Sequence, residues 1–175
     1  MWYTENKLYL AAFKVPESMR EWLTGAGSLV TRLRNHGVGP VRVTQLRETW
    51  ACPWQDERTQ LNIANRRCAF IREILIGEEG RPYIFARTIF PMDTLTGAER
   101  RLAKLGTRTL GSVLFKDPTL TRSSFEITCL QPGTTWYQHI QQYHPVDNSP
   151  LWARRSIFTI KEKPLLVTEV FLRPI

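Results

Sequence analysis

The chain has 175 residues, the size of one ordinary domain, with 42% hydrophobic and 23% charged residues. These fractions exclude a disordered chain, and the length allows a full core without disulfides or metal. The net charge of +8 favours an anionic partner, which can be nucleic acid, an anionic membrane or a small anionic substrate.

The sequence shows no sign of membrane insertion or secretion. No apolar run reaches the length of a membrane span, and the first residues lack the features of a signal peptide. We therefore expect a soluble, cytoplasmic protein. The cysteines Cys52, Cys68 and Cys129 form no CxxC pair and suit semi-buried thiols in a reducing compartment. No set of His, Cys, Asp and Glu has zinc-like spacing, so we assign no metal.

The first third of the chain predicts two short helices, a strand and a loop. Residues 3–13 give no clear pattern. A helix over 16–23 starts at a proline and ends before a glycine, and a second helix has Ser28 as its candidate N-cap and Gly37 as its stop. Branched residues predict a strand over 41–50, and few periodic residues predict a loop over 51–60.

A hairpin follows, and it carries two unexpected charges. Apolar runs over 70–76 and 83–91 flank a turn bounded by glycines. With residues 77–80 as the loop, Arg87 lies diagonal to Arg72 on the same face of the sheet. A register slip of one residue would separate them. Two guanidinium groups on one apolar face need anions, supplied either by protein carboxylates or by a ligand.

The sequence after residue 91 predicts two helical segments and three strands. Thr96, with a glutamate three residues later, matches a capping box. Turn signals make 131–150 irregular. The predicted elements are a helix over 98–105, a helical turn over 109–115, a strand over 124–130 and a hairpin of strands 156–160 and 165–172.

Strands joined by short turns, with helices in two groups, predict an α+β fold. We expect one domain over residues 1–175, with a central antiparallel β-sheet and helices packed over it. Both faces of several strands are apolar. The sheet is therefore covered on both sides, or one face lines an internal ligand cavity.

Glu169 is a third isolated charge, in the otherwise apolar last strand. Together with Arg72 and Arg87 it allows two readings. One is a buried ion pair, whose rupture costs about 3–5 kcal/mol. The other is a closed pocket in which arginine grips a carboxylate and the glutamate binds a hydroxyl or acts as acid or base. No nucleophile arrangement or phosphate-binding loop is present in the sequence, so catalysis would rest on positioning and electrostatics.

Short segments in a fixed order carry a family resemblance. They are GSL at 27–29, VTQLRE at 43–48, REIL at 72–75, ARTIFP at 86–91, LG at 105–106 and 110–111, LF at 114–115, WARRS at 152–156 and PLLVTEVFL at 164–172. The ordered set resembles the chorismate pyruvate-lyase (chorismate lyase) family of bacterial ubiquinone biosynthesis. The resemblance covers roughly residues 17 to 172.

The resemblance implies a monomer with an internal cavity and a carbon–oxygen lyase that needs no cofactor. In that family chorismate gives 4-hydroxybenzoate and pyruvate, at the first step of ubiquinone biosynthesis. The positions that match the family motifs imply roles for five residues. Arg72 and the backbone N–H of Leu29 would bind the ring carboxylate, and Leu110 would supply a second backbone donor near the ring hydroxyl. Glu169 would contact that hydroxyl, and Arg87 would lie near the enolpyruvyl carboxylate, so two arginines would clamp a substrate with two carboxylates.

Two stretches, 52–67 and 129–151, depart from the family pattern, and we carry no function onto them. The chief alternative is a non-catalytic domain of the same fold that binds small aromatic acids, as in certain bacterial transcription regulators. About fifteen residues precede the first predicted helix, too few for a winged helix-turn-helix. A nucleic-acid-binding domain would gather its basic residues on one element. Here doublets such as Arg154-Arg155 are spread along the chain, and we expect them at solvated element ends.

Overall fold

An antiparallel sheet with helices on both faces forms the architecture, so the predicted α+β fold is confirmed. The structure is a computed structural model that describes residues 1–4 and 15–175. Most of the stretch 3–13 therefore lies outside the described residues. None of the helices in the described ranges has the length and apolar character needed to cross a membrane.

In these ranges the sheet contains eight strands in the order β1-β6-β7-β8-β4-β3-β2, and β5 pairs with β7. The predicted strands are all present, but β7 begins five residues earlier than its pattern indicated. The strands are β1 Tyr3–Thr4, β2 Arg42–Ala51, β3 Ala69–Glu78, β4 Arg81–Pro91, β5 Thr121–Arg122, β6 Glu126–Leu130, β7 Leu151–Ile160 and β8 Lys163–Phe171.

Helices cover each face of the sheet with an apolar layer. The front face, which carries Arg72 and Glu169, packs against α1, α2, α4 and two 3-10 segments. The rear face, which carries Glu73 and Arg87, packs against α3 and α5. The segments are α1 Glu17–Thr24, α2 Leu29–Asn35, α3 Gln55–Leu61, α4 Gly111–Leu114 and α5 Thr135–Gln141, with 3-10 segments Met92–Leu95 and Gly97–Lys104.

The first two helices and the helical turn predicted over 109–115, which is α4, follow their sequence signals, and the other helical segments depart from them. Ser28 caps α2, where its Oγ accepts from the backbone N–H of Thr31 at 3.4 Å. Thr96 precedes a 3-10 segment and makes no side-chain capping bond, so the predicted capping box is wrong. The loop predicted over 51–60 and the irregular stretch predicted over 131–150 are also wrong, because α3 occupies Gln55–Leu61 and α5 occupies Thr135–Gln141.

The central hairpin has a different register from the predicted one. The strands extend to Glu78 and Arg81, so the turn has only two residues, and a β-bulge follows Ile76. Arg72 therefore pairs with Thr88, and Arg87 pairs with Glu73. Because neighbouring residues of a strand point to opposite faces, Arg87 lies on the rear face and the predicted shared face is wrong.

Gly77 makes this bulge possible. A Cβ atom there would lie 2.7 Å from the carbonyl oxygen of Arg81 and 2.7 Å from the Cα of Pro82, both backbone atoms. Only a residue without a side chain allows the two strands to approach so closely. The glycine therefore helps to fix which side chains reach each face of the sheet.

We expect Gly77→Ala to lower the free energy of unfolding by about 1–3 kcal/mol more than Gly80→Ala does, because the added methyl group must displace backbone. Gly80 is the control, since it lies in the same turn but a Cβ atom there would have no atom within 4 Å; its own cost comes from its left-handed φ of +72°. Urea denaturation of both variants measures the difference. Equal losses of stability would show that the close approach at Gly77 has no energetic weight.

Candidate functional site

A pocket opens on the front face between the sheet, the start of α2 and the segment around α4. The space between its walls, including the open side, is about 750 Å³. Four of the five residues predicted to bind or transform a substrate line it. They are Leu29, Arg72, Leu110 and Glu169.

Arg72 connects the sheet to the loop that carries Leu110. Its side chain is 1% exposed, and its Nε donates to Oε1 of Glu48 at 3.2 Å. Its Nη2 donates to the carbonyl oxygens of Gly106 and Arg108 at 2.7 and 2.8 Å. Burial lowers the pKa of Arg72, and the Glu48 carboxylate opposes that shift. The group remains a cation, because an arginine side chain keeps its proton throughout the pH range in which proteins are folded.

Glu169 lies opposite Arg154 in the register of β7 and β8. Nε of Arg154 donates to Oε2 of Glu169 at 2.7 Å, and the two side chains are 2% and 20% exposed. The expectation that the Arg154-Arg155 doublet lies at a solvated end is therefore wrong. The doublet lies inside β7, so one arginine points into the pocket and the other to the rear face.

Backbone N–H groups of two helix starts also border the pocket. Leu29 is the first residue of α2, and Leu110 precedes the first residue of α4. The first N–H groups of a helix lack partners within the helix and are donors for an anion. Both positions therefore agree with the backbone roles that the resemblance implies for them.

Charged side chains line the pocket wall. They are the arginines Arg72, Arg122 and Arg154 and the carboxylate of Glu169. Arg72 pairs with Glu48, and Arg154 pairs with Glu169. Guanidinium groups held in a partly dry pocket attract a carboxylate strongly. The arginines of the wall therefore suit a small organic anion as the ligand.

Arg72 and Glu169 stand at opposite ends of the pocket floor. The strand β4 separates them, with Thr88 opposite Arg72 and Ala86 opposite Glu169. Their strands are two strand spacings apart, which separates the two Cα atoms by roughly 10 Å across the sheet. Their partners on β4 are two residues apart, which adds roughly 7 Å along the strands. The side chains between them are small. A flat six-membered ring can therefore lie over the floor, with a carboxylate at one end and a hydroxyl at the other.

Arg87, the fifth predicted site residue, lies outside this pocket in a buried rear cluster. The rear cluster consists of Glu57, Glu73, Arg87, His139 and Tyr143. Nε and Nη2 of Arg87 donate to the two carboxylate oxygens of Glu57 at 2.6 and 3.0 Å, and Nη1 contacts Glu73. His139 Nε2 lies 2.6 Å from Oε1 of Glu73, and the Tyr143 hydroxyl donates to Oε2 at 3.1 Å.

The predicted clamp of two arginines is therefore wrong. The guanidinium of Arg87 is 2% exposed and faces away from the pocket, on the side of α3 and α5. Its anions are the protein's own carboxylates, which is the buried ion-pair reading that the sequence left open. Burial alone would lower the pKa of Arg87, but the hydrogen bonds and charges of Glu57 and Glu73 raise it.

The rear cluster should also make stability depend on pH. Burial would raise the pKa of Glu73, but the hydrogen bond with His139 and the charge of Arg87 outweigh it and hold the pKa at about 2, below the ordinary 4.5. A carboxyl group whose pKa is lower when folded stabilises the fold above its unfolded pKa and loses that effect as pH falls. This contribution is therefore lost between about pH 4.5 and pH 2.

We accordingly expect Glu73→Gln to be most destabilising near pH 7, with a difference from the unmodified protein that shrinks as pH falls from 4.5 towards 2. Glutamine has no proton to gain over this range, whereas Glu73 does. Urea denaturation of both proteins at a series of pH values gives the difference. Glu79→Gln is the control, because that carboxylate is 82% exposed. A loss of stability for Glu73→Gln that is the same at every pH would contradict the lowered pKa of Glu73 in the folded protein.

Sequence comparisons find relatives along almost the whole chain. A family model described as chorismate lyase matches residues 2–175. A protein of Thiobacillus denitrificans named probable chorismate pyruvate-lyase is 35% identical, over 92% of this chain and 86% of its own. Proteins of the same name from Aromatoleum aromaticum and Halorhodospira halophila are 37% and 39% identical, over 91% and 88% of this chain and 86% and 81% of their own.

Solved structures similar to this chain include two domains of proteins named PhnF. The crystal structure of the PhnF C-terminal domain has a TM-score of 0.61 and 15% identity, over 82% of this chain and 89% of that one. The effector domain of PhnF from Mycobacterium smegmatis has a TM-score of 0.59 and 9% identity, over 86% and 91%. At such low identity these likenesses establish the shared fold alone.

Proposed function

The chain belongs to the chorismate lyase family, and on that premise we propose that it converts chorismate to 4-hydroxybenzoate and pyruvate. One observation supports this above the others. A buried arginine and a glutamate stand at the two ends of a ring-sized floor in one pocket. The product 4-hydroxybenzoate has a carboxylate and a hydroxyl at opposite ends of its ring.

Four residues of the pocket take the binding roles. Arg72 and the N–H of Leu29 bind the ring carboxylate, Glu169 accepts a hydrogen bond from the ring hydroxyl, and the N–H of Leu110 lies near that hydroxyl. Hydrogen bonds between charged groups and a ligand are strong and directional, so they fix the ring in one orientation. Holding the substrate in a reactive orientation lowers the barrier without a covalent intermediate.

The proposed reaction is an elimination at the ring. The hydrogen at C4 leaves as a proton, its electron pair forms the C3–C4 double bond, and the C3–O bond to the enolpyruvyl group breaks. The ring becomes aromatic, and the enol released becomes pyruvate, so the products contain all the atoms of chorismate. This is the chemistry of a carbon–oxygen lyase, and it requires no cofactor.

The enolpyruvyl carboxylate needs a different partner from the one the sequence suggested. Arg87 faces the rear of the sheet and has two carboxylate partners there. Of the other two arginines on the pocket wall, Arg154 is paired with Glu169, and Arg122 lies on the same side of the sheet as the pocket. We assign the second carboxylate to the wall near Arg122 rather than to Arg87.

The same proposal covers the biological setting. The resemblance to enzymes of bacterial ubiquinone biosynthesis supports a role at the first step of that pathway, in the cytoplasm, with 4-hydroxybenzoate as the product passed on. It also supports a single domain over residues 1–175 that acts as a monomer. Size-exclusion chromatography with light scattering tests the oligomeric state directly.

A coupled assay tests the reaction. Purified protein is mixed with chorismate, pyruvate is detected through lactate dehydrogenase, and the aromatic product is identified by chromatography. We expect one pyruvate for each 4-hydroxybenzoate. Arg42→Ala, a change at an exposed ion pair away from the pocket, is the control and should retain full activity. Binding of 4-hydroxybenzoate without release of pyruvate would leave the alternative, a non-catalytic domain that binds small aromatic acids.

A further inference from the structure

Arg154 makes contacts with two separate walls of the pocket. Its Nε donates to Oε2 of Glu169 at 2.7 Å. Its Nη1 donates to the carbonyl oxygens of Trp22 and Gly25, both at 2.8 Å. The guanidinium carbon lies 4.3 Å from the ring centroid of Phe125, which also lines the pocket. One planar, buried group therefore connects a sheet carboxylate to the end of α1.

The end of α1 leads directly to the donor end of the pocket. The last carbonyl groups of a helix have no partners within the helix, and here arginine side chains bind them. The chain then runs through Gly27 and Ser28 to Leu29, all on the pocket wall. Arg32 also holds this connection, because it donates to the carbonyl oxygens of Glu21 at 2.8 Å and Gly25 at 3.4 Å.

We propose that Arg154 is a positioning residue that orients the Glu169 carboxylate towards the ligand hydroxyl. The inference rests on the proposed function, because it concerns the same pocket. The contact engages Oε2 and so sets the direction of Oε1, the oxygen available to the ring hydroxyl. The contacts with Trp22, Gly25 and Phe125 fix the guanidinium, and a fixed donor limits the rotation of the carboxylate.

A purely structural ion pair would give a different signature. If Arg154 only supports the fold, its loss lowers the affinity for every ligand to a similar degree. If it orients Glu169, its loss lowers the affinity only for ligands that carry a hydroxyl for Glu169 to bind. The matched pair of ligands is 4-hydroxybenzoate and benzoate, which differ in that hydroxyl alone. The ratio of their dissociation constants isolates the effect.

The experiment measures both dissociation constants by calorimetry. In the unmodified protein we expect 4-hydroxybenzoate to bind at least tenfold more tightly than benzoate, as is usual for a hydrogen bond to a charged group. Arg154→Gln should reduce this preference to within about twofold. Arg32→Gln, which loosens the same connection between α1 and α2, should weaken the binding of both acids and leave the ratio of their dissociation constants unchanged. An unchanged ratio in Arg154→Gln would overturn the proposal.

Two further variants keep the proposal falsifiable. If Arg154→Gln does not fold, Arg154→Lys can be tested in its place, because a lysine cannot bind Glu169 and the two backbone carbonyl groups at once as the planar guanidinium does. If Arg154→Lys kept the full preference for 4-hydroxybenzoate over benzoate, the proposal would be overturned. In a Glu169→Ala background, adding Arg154→Gln should change the ratio no further, since the group that Arg154 positions is then absent. A further drop there would mean that Arg154 contacts the ligand itself, which contradicts positioning.

The binding test and the turnover test can fail separately. Release of pyruvate together with an unchanged binding ratio would remove the role of Arg154 and leave the reaction intact. Loss of preference in Arg154→Gln without any pyruvate would support the positioning role in a binding protein and remove the reaction. Failure of the unmodified protein to bind either acid would overturn both.

Discussion

Replacing Arg87 with methionine should lower the free energy of unfolding by about 3–5 kcal/mol, although the side chain lies outside the pocket. The change leaves Glu57 and Glu73, 1% and 0% exposed, without the cation that compensates them. Desolvated carboxylates that lose their countercharge are costly in a protein interior even where other hydrogen-bond donors remain. Since a domain of this kind is stable by about 5–15 kcal/mol, the variant loses a large share of its stability. Urea denaturation at pH 7 measures the loss.

The matched control is Arg42→Met, which removes an ion pair whose side chains are 66% and 82% exposed. We expect a change of less than about 1 kcal/mol there, because solvent screens such pairs. Adding Glu57→Gln to Arg87→Met should recover part of the loss, since one of the two uncompensated charges is then removed. If Arg87 instead contacted substrate, Arg87→Met would abolish turnover and leave stability intact.

The sequence identified Arg72 and Glu169 because each is an isolated charge in an apolar strand. Such a residue needs a partner or a ligand, whatever the surrounding fold. The face of Arg87 was predicted wrongly for a reason that is local to the turn. A two-residue turn with a bulge after Ile76 replaces the expected four-residue loop, and an odd shift in pairing exchanges the faces. Turn geometry of this kind depends on backbone packing at Gly77, which composition alone does not reveal.

Arg154 was missed because strand β7 was predicted to begin too late. The sequence did contain a signal for Arg154, namely the arginine doublet at 154–155. Had the strand been predicted to include it, alternation would have put one arginine on each face of the sheet. The helices α3 and α5 have seven residues each, as α2 does, but only α2 has clear start and stop signals, at Ser28 and Gly37. The turn signals around α5 hid it. Polar residues dominate α3, whose buried side chains are Glu57 and Leu61, so it has little apolar periodicity. Its place in the fold comes from the ion pair with Arg87, which no local pattern predicts.

Glu169→Gln should lower kcat by about 100-fold or more while changing the dissociation constant of 4-hydroxybenzoate by less than about tenfold. Glutamine has nearly the same shape, and its carbonyl oxygen can still accept from Nε of Arg154 and from the ring hydroxyl. It lacks the negative charge that orients the C4 hydroxyl and helps the elimination. Product binding depends mainly on Arg72 and the backbone donors, so we expect it to survive. The coupled pyruvate assay gives kcat, and calorimetry gives the dissociation constant.

The control for this change is Glu126→Gln on the rear face. Glu126 accepts from Nε of Arg155 at 2.7 Å, the same geometry as the pair of Arg154 and Glu169, but on the other side of the sheet. Its loss removes an equivalent ion pair without altering the pocket, so kcat should change by less than about twofold. If Glu169→Gln leaves kcat unchanged, the proposed role of Glu169 is refuted. If Glu169→Gln and Glu126→Gln lower kcat equally, the ion pairs of the sheet support catalysis only by stabilising the fold.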